Sequence, residues 1–309
     1  MIYRTLGSTG IGVSAVGVGT WQFGGEWGVD FTAGEVDAIL GAAKDEGINL
    51  IDTAECYGDH LSERLIGERL HRERDSWIVA SKFGHHYHGH QERTRHWDPT
   101  DVRAQVEESL RSLRTDYLDL LQFHSPSDEE FFHEELWSEL GRLKQDGLVR
   151  HLGLSVSKNT NLTQVEAAPQ AGCETLQIIY NRVDRAPEGE VFTAAAAANM
   201  GVMARVPLAS GFLSGKYGAD ATFPENDWRS KMDAEKRQAI LDEVEQVRTH
   251  ELPHGASLVE WALAWPLNHP AVTCVIPGCK NVEQVRSNAR AVRWVSEPES
   301  HPQSRGRQA

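Results

Sequence analysis

Short apolar runs rich in β-branched residues alternate with helix-period segments along almost the whole chain, and this regular alternation narrows the possible folds more than any other feature. The strand candidates are Ala15–Gly19, Leu50–Asp52, Trp77–Lys82, Leu118–His124, Val149–Ser155, Thr175–Ile179, Val202–Val206 and Val272–Ile276. Between them apolar residues recur at i, i+3, i+4 and i+7, as in Val36, Ile39, Leu40 and Ala43, or Leu258, Trp261, Ala262 and Trp265. That spacing gathers one face of a helix. The strand runs are apolar on both sides of the pleat, which suits parallel strands covered by helices. Eight such units in 309 residues predict an α/β fold of the (β/α)8 TIM-barrel type, which typically needs ~250 residues. An open Rossmann-type sheet should carry G-x-G-x-x-G after its first strand. The segment GTWQFGGEWG stands there instead, glycine-rich but wrongly spaced.

Two extensions flank the expected barrel. Residues 1–14 predict an N-terminal β-hairpin, because Ser8-Thr9-Gly10 sits between two short segments able to pair. No linker or composition break divides residues 1–296, which are read as a single domain, and the polar, Pro-containing residues 297–309 are read as a disordered C-terminal tail. The stretch HHYHGHQERTRH, from His85 to His96, reads as a flexible loop bordering the pocket. The longest internal loop, Gly215–Arg229, has the length of a functional lid.

Charge and cysteine usage exclude several function classes. With 45 acidic against 31 basic residues the formal charge is −14, so neither nucleic acid nor an anionic membrane surface is an expected partner. No apolar run has the length of a membrane span or of a signal-peptide core. Cys56, Cys173, Cys274 and Cys279 form no C-x-x-C pair and no zinc-type spacing, as expected of reduced thiols in a cytoplasmic protein. Nothing in the sequence addresses the oligomeric state.

In a (β/α)8 barrel the carboxyl ends of the strands open into one shared mouth. Asp52 ends the second predicted strand, Tyr57 follows in the next loop, and Lys82 and His124 end the third and fourth. Singly, each has an ordinary structural reading as a turn cap, loop anchor, solvated strand end or core histidine. Together they form a coherent proton-donating set. A free tyrosine, with a pKa of roughly 10, needs a neighbouring cation to stabilise its phenolate. Lys82 can supply that cation, Asp52 can keep a buried lysine charged, and His124 can hydrogen-bond a carbonyl oxygen.

The segments RTLGSTGIGVSAVGVGTW, NLIDTAECYGDHLSERLIGERL, IVASKFG, DYLDLLQFHSP, HLGLSVS, LQIIYN, VPLASGFLSGK and VIPGCKNVEQVRSN follow one another in order, and through them the chain resembles the aldo-keto reductase superfamily over nearly its whole length. The resemblance implies an oxidoreductase that reduces an aldehyde or ketone to an alcohol, or runs the reverse. In it Asp52, Tyr57, Lys82 and His124 would be the catalytic residues and Tyr57 the proton donor. It also implies NADP (NADPH) as cofactor, lying across the barrel mouth with Thr20, Trp21 and Asp52 among its contacts. Ser155 and Gln177 would meet the nicotinamide carboxamide. Pro207, Leu208, Ser210, Gly211 and Lys216 would follow the pyrophosphate, and Gly278, Lys280, Gln284 and Asn288 would meet the adenosine and 2′-phosphate. A helix predicted to start near Asn281 supports the last group independently, since helix N-termini attract phosphate.

Three positions depart from the family pattern. Val156 follows Ser155 where many members have asparagine. Arg205 stands where many stack an aromatic ring on nicotinamide, and Gln284 occupies the place of an arginine used for the 2′-phosphate in some branches. Lys280 is therefore the main cationic candidate, and NADP is expected over NAD. A cofactor-binding regulatory subunit of the same fold is the alternative function, against which the complete Asp52, Tyr57, Lys82, His124 set argues. A metal-dependent barrel hydrolase would need carboxylate and histidine ligands spread over several strand ends, and no metal is expected. The substrate is a small carbonyl compound or alcohol whose identity the loops do not reveal.

Overall fold

The computed structural model describes residues 1–296 and 301–303. A hairpin of β1 (Tyr3–Thr5) and β2 (Gly12–Ser14) opens the chain, as expected from the turn at Ser8-Thr9-Gly10. There follow β3 (Val18–Gly19), α1 (Ala33–Asp45), β4 (Leu50–Asp52), α2 (Leu61–Glu73), β5 (Ile78–Gly89), β6 (Glu92–His96) and α3 (Pro99–Leu113). Next come β7 (Leu118–His124), α4 (Asp128–Phe131), α5 (Glu134–Gln145), β8 (Val149–Ser155), α6 (Leu162–Ala167), β9 (Cys173–Ile179) and α7 (Glu190–Ala197). The chain continues through β10 (Gly201–Arg205), α8 (Ala234–Gln246), α9 (Leu258–Leu267), β11 (Val272–Val275) and α10 (Val282–Arg290). Strands β3, β4, β5, β7, β8, β9, β10 and β11 pair in parallel in that order. Bridges Val16–Val275 and Gly19–Gly278 join the first strand region to the last, closing a (β/α)8 barrel.

The pleat explains why this barrel carries a polar mouth. Successive strand residues point to opposite faces, and Ile51, Val79, Leu121 and Phe123 pack outward in the core shared with the helices. Their neighbours Leu50, Ala80 and Leu120 form a separate interior cluster with Met203 and Cys274, floored by Leu6 and Val13 of the hairpin region. Two residues further along the same inward face stand Asp52, Lys82 and Gln122, and two beyond Gln122 stands His124. The barrel interior thus turns from apolar at the amino end of the strands to polar at the carboxyl end.

The histidine-rich stretch is not the loop expected from its composition. β5 runs past Lys82 to Gly89 and pairs antiparallel with β6, placing His85 opposite Arg95, His86 opposite Thr94 and Tyr87 opposite Arg93. The turn is made by Gln91 in a left-handed conformation (φ 59°). Tertiary contacts hold the hairpin down: buried Glu26 accepts from Gln91 N at 2.8 Å and pairs with Arg93.

Most of the tail expected at 297–309 lies outside the described residues. Within it, Gln303 O accepts from Thr5 N at 2.7 Å and Gln303 Nε2 donates to Met200 O at 3.4 Å, so this part of the chain lies beside the N-terminal hairpin.

Candidate active site

Lys82 Nζ is the centre of the polar layer. It donates to Asp52 Oδ2 at 2.8 Å, to Thr53 O at 2.6 Å and to Tyr57 Oη at 3.2 Å. Asp52 Oδ1 accepts in turn from Gln177 Nε2 at 2.7 Å and Gln122 Nε2 at 3.1 Å. Burial works against the lysine's charge, but Asp52 and then Tyr57 hold its pKa above the ordinary value. The phenol departs from the simplest expectation. Burial pushes Tyr57 up to about 12, with the Lys82 cation pulling the other way, so the lysine offsets desolvation rather than making the phenol acidic overall. A phenol held in this way is protonated at neutral pH and able to donate.

Tyr57 reaches Lys82 because its loop folds tightly onto the first one. Gly24 passes so close that a Cβ there would lie 2.5 Å from the carbonyl carbon of Tyr57 and 2.8 Å from Gly58 N. Gly58 in turn has φ +67°, and a Cβ on it would meet Gly24 O at 2.5 Å. Trp21 stacks on Tyr57 (centroids 6.2 Å apart) and on Trp228 (5.8 Å), and its Nε1 donates to Glu26 at 2.6 Å.

His124 faces this group from β7. Its ring lies 6.2 Å from that of Tyr57, edge to face, and its Nδ1 is 3.6 Å from Cys56 Sγ. Burial, then the nearby His85, Lys82 and Arg205, depress its pKa well below the ordinary histidine value, leaving a neutral imidazole. Glu55 lies beside it, buried and pushed up to about 8 by desolvation and then by Glu63.

A groove of about 1320 Å³ runs from Tyr57 across the barrel mouth. The sequence-predicted contacts Thr20, Trp21, Asp52, Gln177, Arg205, Pro207, Leu208, Ser210, Gly211, Lys216, Gly278, Lys280, Gln284 and Asn288 all line it. Ser155 adjoins it between His124 and Gln177 in strand register. Its Oγ is buried without a hydrogen-bond partner among the described residues, as is Arg205 Nε. Both Gln177 amide hydrogens are engaged, toward Asp52 and Gln122, leaving its carbonyl oxygen to offer. Arg205 Nη2 donates to Val156 O at 3.1 Å, so two of the three departures from the family pattern contact each other.

The turn after β10 bends sharply, with Val206, Ala209 and Ser210 at φ 54°, 46° and 59°. Left-handed backbone on a β-branched residue is strained by about 1–3 kcal/mol and tends to mark functional turns. In the long loop that ends at Arg229, Arg229 pairs with Asp227 and donates to Ser210 O at 3.2 Å. At the far end α10 begins where expected, with Asn281 capping it and Gln284 Oε1 accepting from Lys280 N at 2.8 Å. Lys280 Nζ donates to Trp27 O at 2.6 Å, clasping the first loop over the groove.

Sequence reasoning overlooked Gln122, Glu26, Gly24 and Gly58. Gln122 was detectable, as a glutamine at an inward position of an otherwise apolar strand. Glu26 had no local signal, because two of its three partners, Gln91 and Arg93, come from a distant segment. Of the aromatics near the mouth, Trp21, Trp27 and Trp228 line the groove. Phe23 instead packs on Phe31 and Trp97 on His133.

The comparisons with known proteins agree with this architecture. The aldo/keto reductase family profile matches residues 15–304. The aldo-keto reductase YhdN of Bacillus subtilis (strain 168) is 30% identical over 303 residues, covering 96% of this chain and 90% of that protein. An NADH-specific methylglyoxal reductase of Escherichia coli (strain K12) is 30% identical over 305 residues, covering 93% and 92%. The solved structure of a glycerol dehydrogenase from Gluconobacter oxydans superposes with a TM-score of 0.80 at 29% identity, covering 99% of this chain and 98% of that one. The chain belongs to the aldo/keto reductase family and is an oxidoreductase that acts on carbonyl or alcohol groups with a nicotinamide cofactor. Among the described residues no helix is long and apolar enough to cross a membrane.

Proposed function

We propose that this enzyme reduces an aldehyde or ketone to the alcohol, or runs the reverse, with Tyr57 as general acid and base and NADP as the preferred cofactor. The observation that carries the reading is Lys82 Nζ bridging Asp52 and Tyr57 Oη beside a groove of about 1320 Å³. When bound, the reduced nicotinamide supplies the hydride. Ser155 Oγ and the Gln177 carbonyl oxygen would hold its carboxamide, and Arg205 would stand where its ring is received. Neutral His124 orients the carbonyl oxygen, and Tyr57 Oη delivers the proton to that oxygen as negative charge develops. The Lys82 ammonium stabilises the negative charge left on the Tyr57 oxygen, and Asp52 keeps the lysine protonated. Four buried free cysteines accord with a reducing, cytoplasmic setting. A panel of carbonyl substrates followed by NADPH absorbance, with NADH in parallel, tests the assignment; absence of turnover with every carbonyl and both cofactors would overturn it.

The phenol's position depends on the Gly24–Gly58 contact, so Gly24→Ala is expected to retain the fold and lower kcat by up to ~10²-fold, since misplacement by about 1 Å has that cost. Steady-state kinetics with circular dichroism as a folding control measure it. An unchanged kcat would mean that the two loops can part without moving Tyr57.

The cofactor preference rests on Lys280 beside the N-terminus of α10. A charge-assisted hydrogen bond contributes ~1.5–3 kcal/mol, so Lys280→Ala is expected to weaken NADPH binding by about tenfold to a hundredfold and NADH binding little. Quenching of tryptophan fluorescence reads both. Equal losses would show that the lysine acts only through its clasp on Trp27 O, and a wild-type preference for NADH would refute the NADP assignment while leaving the reductase reading intact.

A further inference from the structure

Beside the proton-donating set lies a second cluster that the proposed reaction does not use as a unit. One ligand atom each from Glu55, Cys56, His85 and His124 lies within 4.8 Å of all the others. Glu55 and Cys56 come from the loop after β4, His85 from the extension of β5 into the hairpin, and His124 from the end of β7. Two of the groups have unmet hydrogen-bonding capacity: Glu55 Oε2 and His85 Nδ1 are buried without partners among the described residues. Buried polar atoms are ordinarily satisfied, and an unpaired one calls for a role or an unseen ligand.

From this convergence we propose that Glu55, Cys56, His85 and His124 form a binding site for a borderline transition-metal ion of the Zn2+ class. One thiolate, two imidazoles and one carboxylate are a donor set for Zn2+ or Co2+ rather than for Mg2+ or Ca2+, which take mostly oxygen. Bonds of ~2.0–2.3 Å in a tetrahedral site put ligand atoms roughly 3.3–3.8 Å apart, so the cluster contracts by about 1 Å at its widest. Rotation of Glu55 and His85 about their side-chain bonds is the movement required; the two unpaired atoms give up no hydrogen bond in making it, while the bond from His85 N to Glu55 Oε1 at 3.0 Å and the Cys56 Sγ contact with His124 Nδ1 must adjust. Cys56 binds as thiolate and Glu55 as carboxylate, the proton of the thiol and that of the buried carboxyl both leaving to solvent. Thiolate and carboxylate together neutralise a divalent ion in a region that already holds the Lys82 and Arg93 cations. The site uses only His85 from the crowded HHYHGH stretch; the exposed His86 and His88 play no part. Because His124 belongs to both sets, an occupied site inhibits carbonyl reduction. This consequence rests on the proposed function, whereas metal binding itself does not.

Titrating the full-length chain, without an affinity tag and under anaerobic conditions, with Co2+ tests the site directly. One equivalent per chain is expected to produce thiolate-to-metal charge-transfer absorption and the strong visible bands of tetrahedral Co2+, and an equivalent of Zn2+ is expected to bleach both. Cys56→Ser is expected to abolish the charge-transfer band, and His85→Ala to weaken binding by at least about tenfold. Cys173→Ser, remote from the cluster, should leave the spectrum unchanged. Folded wild-type protein that binds Co2+ without the charge-transfer band has only captured it on exposed histidines, and this result overturns the proposal, as does a band that survives Cys56→Ser. Inhibition without the spectral change would also count against it, and the spectral change without inhibition would place the fault in the role assigned to His124.

Discussion

Tyr57→Phe is expected to retain the fold and the cofactor affinity while lowering carbonyl reduction by ~10²–10⁴-fold, the usual contribution of a positioned general acid. The substitution removes only Oη, whose one hydrogen bond in the site is from Lys82 Nζ. The ring keeps its stacking on Trp21 and its edge contact with His124. The loss should therefore fall on kcat rather than on binding, and single-turnover measurements with saturating cofactor separate the two. Turnover close to wild type, under conditions where chemistry limits the rate, would remove Tyr57 from the mechanism.

Lys82→Met is expected to be at least as damaging and to affect stability as well. Lys82 is almost fully buried and its ion pair with Asp52 spans 2.8 Å. Removing one member of such a pair leaves the other charge buried and unmatched, at a cost of ~3–5 kcal/mol. Asp52 would keep only the neutral donors Gln122 and Gln177. Tyr57 would lose the main cation that offsets its desolvation, so its phenolate becomes still harder to form. Thermal or denaturant unfolding measures the stability loss, and activity is then read on protein shown to be folded. Normal reduction by folded Lys82→Met would overturn the assignment of the lysine.

These two expectations were open to sequence reasoning because strand periodicity is a local property. Leu50 and Asp52, Ala80 and Lys82, and Leu120, Gln122 and His124 sit at intervals of two, which puts each polar residue on the inward face at the carboxyl end of its strand. Other parts of the site depend on contacts between segments far apart in the chain. Glu26, bonded to Trp21 within its own loop, meets Gln91 and Arg93 only because the first loop and the histidine hairpin are folded together. The hairpin itself stands where composition predicts a loop. Its polar composition suggested solvation, but pairing with β6 and the hold of Glu26 supply what composition does not show. The left-handed backbone at Val206 could not be foreseen either, since residue type argues against it.

By itself the sequence determined the order of the eight βα units, the inward and outward faces of their strands, and the presence of Asp52, Tyr57, Lys82 and His124 at one end of the barrel. All of these follow from spacing along the chain and from the short-range geometry of strands and helices. Closure of the barrel through Val16 and Gly19 decided which of those polar ends touch. It brought Gln122 and Gln177 onto Asp52, and the long β5 brought His85 to Glu55, Cys56 and His124. Burial then set the charge states, driving Tyr57 up and His124 down. Desolvation depends on everything packed around a group, and that enclosure exists only once distant segments have met.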